Sequence, residues 1–196
     1  MEEGLLHQRA SGCPVLIGPQ VRTARLVLRR WRESDLEPFA ALNTDPEVMA
    51  HMPDVLDRSA SNAMVARIEA HFEAEGFGLW AVEVPGGVPF AGFVGLSRVG
   101  FEAPFTPAVE IGWRLARPCW GRGYATEGAA AALAFAFEQV GLDEVVSFTG
   151  PANARSRAVM ERIGMARDRA GDFEHPRLPP EHPLRRHVLY RARPRA

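Results

Sequence analysis

The hexapeptide Trp120-Gly121-Arg122-Gly123-Tyr124-Ala125 has the residue types needed to bind a phosphate. Glycine lacks a Cβ atom, so the backbone around Gly121 and Gly123 can approach an anion closely. The residues that follow are almost all small or apolar up to position 140, which is typical of a buried helix. The first N–H groups of a helix lack partners and lie at the positive end of its dipole, so this segment predicts a phosphate or pyrophosphate site.

The glycine turn is also compatible with other structures. A glycine turn before a helix is also an ordinary tight connection. The chain has no GxxxxGK[ST] motif, so a Walker-type nucleotide loop is excluded. A dinucleotide fingerprint requires a third glycine where Thr126 stands and an acidic residue after the next strand, whereas Asp143 precedes that strand.

The stretch before the glycine turn predicts a strand. Its apolar residues Val109, Ile111, Trp113 and Leu115 alternate with polar or small residues in the period of two that strands show. Glu110 therefore lies on the opposite face of the strand from these residues. The predicted unit is strand, short loop, glycine turn and helix.

The hexapeptide resembles the acyl-CoA pyrophosphate loop of the GNAT superfamily of N-acetyltransferases, in which Gln or Arg, two residues, Gly, one residue and Gly or Ala is usual. Gly123 and Ala125 match the small positions. Trp120 stands where Gln or Arg is usual, and this departure resembles the RimJ/RimL-type branch, the ribosomal-protein N-terminal acetyltransferase-like group. Residues 28–52, 109–126 and 151–165 resemble that branch in order and spacing, so the resemblance covers most of the chain.

The fold that follows is a single α/β (α+β) domain over residues 21–196, preceded by a flexible lead-in over residues 1–20. The resemblance implies a mixed, mostly antiparallel, seven-stranded sheet with helices on both faces. It also implies a splay between strand four, at residues 109–116, and strand five, at residues 143–149. The predicted helices over the first part of the chain would wall the acceptor pocket.

The resemblance implies acetyl-CoA as the acyl donor and no metal. The backbone of residues 122–126 would bind the pyrophosphate, and backbone groups of strand four would pair with pantetheine and polarise the thioester carbonyl, a role assigned to Leu115 in particular. The predicted cofactor-binding residues are Trp113, Leu115, Gly121, Arg122, Gly123, Tyr124, Ala125, Thr126, Asn153 and Ser156.

Two residues are predicted to be catalytic. Glu110 would act as general base, directly or through water; the alternative is an exposed Glu on a strand face. Many relatives have a Tyr as proton donor in the last helix, where this chain has none, so the resemblance passes the acid role to Ser156. Asn153 and Ser156 can alternatively be read as an ordinary helix cap and a first-turn polar residue.

Three histidines near the C-terminus are candidate metal ligands. The spacings of His175, His182 and His187 do not resemble a compact zinc site, so no metal is predicted there. Glu174, His175 and His187 are instead predicted to contact the acceptor, with His187 as a second-choice base.

The resulting prediction is an N-acetyltransferase that transfers acetyl to a primary amine by direct attack on the thioester. A protein N-terminus is the acceptor that the resemblance suggests. A small amine such as a polyamine, an amino acid or an amine antibiotic is an open alternative. A non-catalytic acyl-CoA-binding sensor is another, supported by the missing Tyr.

Composition limits the partners. The chain has 196 residues, is 46% hydrophobic and carries a formal net charge of −1, which gives no signal for nucleic acid or membrane binding. Cys13 and Cys119 are the only cysteines, no apolar run is long enough to span a bilayer, and a cytoplasmic location is expected. The sequence does not determine the oligomeric state; dimers are common in the family that it resembles, so a homodimer is an open expectation.

Overall fold

The structure, a computed structural model, describes residues 19–194. The predicted lead-in over residues 1–20 therefore lies outside the described residues, apart from residues 19 and 20, and so does Cys13. Within the described part of the chain, no helix is long and apolar enough to cross a membrane.

Eight strands form one sheet in the order β1-β2-β3-β4-β5-β6-β8-β7. All neighbours are antiparallel except β5 and β6, which confirms the predicted mixed, mostly antiparallel sheet. The strands are Val21–Arg22 (β1), Val27–Arg29 (β2), Leu79–Glu83 (β3), Gly92–Arg98 (β4), Val109–Leu115 (β5), Val145–Thr149 (β6), Ala166–Glu174 (β7) and Arg186–Ala192 (β8).

The sheet has eight strands rather than the predicted seven because the chain turns back on itself before β2. The backbone N–H of Thr23 donates to the carbonyl of Leu26 at 2.9 Å, and the Thr23 hydroxyl accepts from the Leu26 N–H at 2.9 Å. This turn lets Val21–Arg22 pair with β2 as a short edge strand.

Five α-helices lie on the two faces of the sheet: Leu36–Thr44 (α1), Pro46–Met49 (α2), Arg58–Glu75 (α3), Tyr124–Glu138 (α4) and Ala154–Arg162 (α5). Ala129 and Ala132 of α4 pack in the cluster that contains Trp80 of β3. Phe39 of α1 packs in a separate cluster with Ala81, the next residue of β3. Successive side chains of a strand point to opposite faces, so α4 and α1 cover opposite faces of the sheet.

The expected splay lies between β5 and β6. These parallel strands share a single bridge, Glu110 with Val146. One step further on, the Ser147 hydroxyl donates to the Ile111 carbonyl at 2.9 Å, and the strands then diverge. Since alternate residues of a strand present their backbone groups to the same side, Trp113 and Leu115 direct theirs into the gap.

Candidate active site

A cleft of about 1080 Å³ opens where β5 and β6 diverge. It brings together segments that are far apart in the sequence, from the end of β5 to the starts of α4 and α5. Nine of the ten predicted cofactor-binding residues line it: Trp113, Leu115, Gly121, Gly123, Tyr124, Ala125, Thr126, Asn153 and Ser156. The tenth, Arg122, does not line the cleft, and its carbonyl accepts a hydrogen bond from Arg25 Nη1 at 2.9 Å.

The glycine turn forms one wall of the cleft. Gly121 and Gly123 have φ angles of 72° and 80°, which residues with a Cβ atom rarely adopt. Helix α4 begins at Tyr124, and its first turn closes with the Glu127 N–H donating to the Gly123 carbonyl at 3.0 Å. The N–H groups of Tyr124, Ala125 and Thr126 therefore have no acceptor within the helix, as an anion cradle requires.

Arg25 stands beside the cradle, and sequence reasoning missed it. A Cβ atom added at Gly123 would lie 3.2 Å from Arg25 Nη2. The same guanidinium forms an ion pair with Glu127 at 2.5 Å. Burial opposes ionisation of Glu127, but hydrogen bonds from Thr23 and Arg25 outweigh it and lower the Glu127 pKa. The negative charge of Glu127, in the first turn of α4, is thus compensated by Arg25 next to the predicted pyrophosphate site.

Trp120 links the glycine turn to β5. Its indole N–H donates to the Leu115 carbonyl at 2.7 Å. The ring lies between two guanidinium groups, with Arg117 at 5.0 Å and Arg155 at 4.7 Å from its centroid, and both arginines line the cleft. Arg117 is also paired with the Glu47 carboxylate. Trp120 therefore has a structural role at the position where the resembled family usually has Gln or Arg.

Glu110 lies on the face of β5 that α4 does not cover. A Cβ atom added at Gly112 would meet Glu110 Oε1 at 4.0 Å and nothing nearer, so the carboxylate borders open space above that glycine. Glu110 has no ionic or hydrogen-bonding partner among residues 19–194 that would favour its charged form, and burial raises its pKa to about 8. The side chain keeps some exposed surface, and Glu110 is not among the residues that line the cleft.

Arg114, on the same strand face as Glu110, was not predicted from the sequence. It lines the cleft, and its Nη1 donates to Asn43 Oδ1 at 2.6 Å. Alternation along β5 puts it on the face of Glu110 and Gly112, but does not indicate that its guanidinium is buried.

The start of α5 also lines the cleft. Asn153 Oδ1 accepts from the Ser156 N–H at 3.2 Å, and Asn153 Nδ2 donates to Thr149 Oγ1 at 3.0 Å. Asn153 is therefore the N-cap of α5, and its amide is occupied by these bonds. The Ser156 hydroxyl has no hydrogen-bond partner in the part of the chain that the structure describes, so it is available to a ligand in the cleft.

The predicted acceptor residues lie outside the cleft lining. His175 and His187 are 5.1 Å apart, within a cluster that includes Phe148 and Phe173. Burial lowers the pKa of both histidines. Glu174 is exposed and paired with Arg185 at 3.3 Å. Among residues 19–194, no group of three or more His, Cys, Asp or Glu side chains is arranged to hold a metal ion.

The aromatic cluster lies on the Glu110 side of the sheet. Val146 is bridged to Glu110, and Val146 packs with Phe105, Phe173 and Leu189. The surface around Glu110 therefore continues into an aromatic surface on one side and toward Arg114 on the other. The described residues thus include unpaired N–H groups at the start of α4, the free backbone edge of β5, a carboxyl group with a raised pKa and the hydroxyl of Ser156.

Comparison with known proteins gives a family match. The family described as the acetyltransferase (GNAT) domain matches residues 25–166. The chain is similar to FsC-acetyl coenzyme A-N(2)-transacetylase of Aspergillus fumigatus, with 34% identity over 154 residues. That match covers 75% of the chain and 65% of the relative, so the chain spans about two thirds of the relative's length.

Solved structures show the same fold. An acetyltransferase from Agrobacterium tumefaciens has a TM-score of 0.72 and 27% identity, with 99% of this chain and 100% of that chain covered. RimL, a ribosomal α-N-protein acetyltransferase solved in complex with coenzyme A, has a TM-score of 0.69 and 17% identity, with 89% and 98% covered. The likeness to RimL concerns the fold alone.

Proposed function

The chain belongs to the GNAT family of acetyl-CoA-dependent N-acetyltransferases, and we propose that it transfers the acetyl group to a primary amine by direct attack on the thioester. One observation carries this proposal. The cleft joins an anion cradle at the start of α4 to the free backbone edge of β5, and Glu110 lies on that strand beside the open space at Gly112.

The cosubstrate fits the residues of the cleft. The N–H groups at the start of α4 and the nearby Arg25 would bind the pyrophosphate. The backbone of Trp113 and Leu115 would pair with the pantetheine arm, and the Leu115 N–H is suited to polarise the thioester carbonyl. Trp120 occupies the Leu115 carbonyl, which leaves the N–H of that residue as the group that faces the gap.

Glu110 would accept the proton that the attacking amine loses. An α-amino group titrates at about 7.7–8.0 and a lysine side chain near 10.4. A carboxyl group with a pKa of about 8 matches the α-amino group, so a proton can pass between them at little cost in free energy. This match favours an α-amino group over a lysine side chain as the acceptor.

Ser156 would pass a proton to the departing thiolate and regain one from solvent in the open cleft, so that no serine alkoxide is left. As the amine nitrogen bonds to the acetyl carbon, the carbon–sulfur bond breaks and the sulfur needs a proton. The free hydroxyl of Ser156 lines the same cleft as Leu115, which supports this role.

The acceptor itself is proposed to be the N-terminus of a protein or peptide, in keeping with a RimJ/RimL-type chain. A small amine with an α-amino group is the second candidate, favoured by the relative named as an N(2)-transacetylase. In both cases Glu174, His175 and His187, which lie outside the cleft lining, would contact the part of the acceptor that extends beyond Glu110. A cytoplasmic location and a homodimer are further proposals from the sequence.

Acetyl-CoA-dependent thiol release across a panel of amines tests the proposed function. The panel contains peptides with free N-termini, amino acids, polyamines and aminoglycosides, each compared with its N-acetylated form as the control. Release with α-amino acceptors is expected. Binding of acetyl-CoA without release from any amine would contradict the proposal and favour the sensor.

A further inference from the structure

Arg114 carries a partly buried positive charge that has no anionic partner among residues 19–194. Its Nη1 donates to Asn43 Oδ1 at 2.6 Å, its Nη2 lies 3.1 Å from Met52 Sδ, and its guanidinium carbon lies 5.4 Å from the centre of the Phe93 ring. None of these groups is charged, and no carboxylate of residues 19–194 forms an ion pair with it. Burial lowers the pKa of Arg114 to about 10, which indicates that its charge is poorly compensated.

Arg29, a fully buried arginine of the same sheet, shows how a buried guanidinium is paired within this protein. Arg29 is 4% exposed, and its guanidinium contacts both oxygens of Asp35, at 2.7 and 2.9 Å, and Glu83 at 2.7 Å. A buried charge is costly unless it is paired. Arg29 meets this condition within the protein, whereas Arg114 does not.

Arg114 also lies where an acceptor would enter. It lines the cleft on the same strand face as Glu110, and Gly112 lies between the two. Their Cα atoms are four residues apart along β5, about 13 Å. Gly112 leaves the space between them open, since an added Cβ atom would meet only Glu110 Oε1 within 4.0 Å.

The Arg114 guanidinium has further N–H donors that a ligand could use. Arginine has five N–H groups in a planar fork that fits a carboxylate. The contacts to Asn43 and Met52 use one group on each terminal nitrogen, so three remain. Of the two carboxylates that line the cleft, Glu47 is engaged by Arg117 and Glu127 by Arg25.

We propose that the acceptor amine also carries a carboxylate, or an anion of comparable charge, which the Arg114 guanidinium binds while the amine lies beside Glu110. This inference rests on the proposed function and narrows its substrate class. A free amino acid carries both groups, and so does a peptide with an acidic residue near its N-terminus. Polyamines and aminoglycosides carry no anion and are expected to be poor acceptors.

Matched acceptors test this specificity. Each of several amino acids is compared with its carboxamide, and each of several peptides with Asp at the second position is compared with its Asn counterpart. For the wild type, kcat/KM is expected to be about tenfold or more higher for the acid of the productive pair. A preference for the acid in the first set would identify a free amino acid as the acceptor. A preference for the acid in the second set would identify a peptide N-terminus.

Variants separate anion binding from a structural role. Arg114→Met keeps an unbranched stem and removes the charged guanidinium, and it is expected to abolish the preference for the acid while leaving the KM for acetyl-CoA within about twofold. Arg114→Lys should restore part of that preference. Arg98→Met, which removes an exposed arginine paired with Glu75 outside the cleft, is the matched control and should change neither value.

A binding experiment keeps the inference testable without turnover. The CoA-saturated protein is titrated by calorimetry with the N-acetyl derivatives of the same acids and amides. Selective binding of the acids that is lost in Arg114→Met supports the anion site, even if no amine releases thiol and the proposed function fails. Equal behaviour of acids and amides in the wild type, or an equal loss for both in Arg114→Met, overturns the inference.

Discussion

The indole N–H of Trp120 donates a 2.7 Å hydrogen bond to the carbonyl of Leu115. This bond joins the loop before α4 to the end of β5. These two elements would bind the pyrophosphate and the pantetheine arm of acetyl-CoA, respectively. Trp120, which departs from the usual family pattern, thus links the glycine turn to the edge of β5. It also occupies the one backbone acceptor of Leu115 and leaves its donor facing the gap.

Trp120→Phe is expected to raise the KM for acetyl-CoA about three- to tenfold, because a hydrogen bond of this kind contributes about 1 kcal/mol. Trp31→Phe is the matched control, since the Trp31 indole donates to the Leu79 carbonyl at the same 2.7 Å, away from the cleft. Both variants should lose similar thermal stability. A KM that changes equally in both would show that the Trp120 bond has no specific effect on the cosubstrate.

Gly123→Ala should weaken acetyl-CoA binding by about tenfold or more, because the new methyl group would crowd Arg25 and the φ of 80° would no longer be easily adopted. Gly76→Ala provides the comparison. Gly76 has a φ of 75° and no atom within 4 Å of an added Cβ, and it caps α3 outside the cleft. Each change should destabilise the fold by about 1 kcal/mol. Calorimetry with acetyl-CoA then distinguishes them, and equal affinities would contradict the cradle assignment.

Glu110→Gln is expected to lower kcat about 10²- to 10⁴-fold, the usual contribution of a general base. The wild-type rate should rise with pH up to about 8, as the Glu110 carboxyl group loses its proton. In the variant this rise should disappear and leave only the titration of the amine. If the two pH–rate profiles have the same shape, Glu110 has no role in proton transfer.

Glu110→Gln, which is expected to lower kcat, should raise the stability of the folded protein at high pH. Because the Glu110 pKa is raised in the folded state, folding favours the protonated form, and wild-type stability should fall as the pH rises from about 4.5 to 8. Glu110→Gln lacks this loss, so above about pH 8 it should be more stable than the wild type by up to about 5 kcal/mol. Below about pH 4.5 the two proteins should unfold alike.

Glu75→Gln is the control for that measurement. A hydrogen bond from Arg98 lowers the Glu75 pKa, so its stabilising effect is present at neutral pH and lost in acid. The Glu75 variant should therefore melt at or below the wild-type temperature at neutral pH, never above it. Thermal melts of the three proteins between about pH 4 and 9 would show whether the Glu110 effect has the expected sign.

Ser156→Ala and Asn153→Ala are expected to separate function from stability. The Ser156 hydroxyl bonds to nothing in the described part of the chain, so its removal should lower kcat about tenfold and leave the melting temperature unchanged. Asn153→Ala removes the N-cap of α5 and should cost about 1 kcal/mol of stability. A Ser156 variant with wild-type kcat would exclude it as proton donor.

The sequence by itself determined the local units. The glycine turn that opens α4, the alternation of β5 and the Asn153 cap all follow from periodicity and backbone chemistry within a few residues, and each is present in the structure. The predicted number of strands, seven, was wrong by one. The additional strand is a two-residue edge strand that forms through a turn, and so short a segment has almost no periodic signal. The same alternation predicted the face on which Glu110 lies.

Only the tertiary structure decided the chemical environment of these residues. Arg25 reaches Glu127 across about a hundred positions of the sequence, and the burial of Arg114 depends on Asn43 and Met52 from separate segments. The pKa of Glu110 likewise depends on what packs over its strand. Solvation and charge pairing are sums over neighbours in space, so a linear pattern fixes which side of a strand a group occupies but not whether that side is buried or paired.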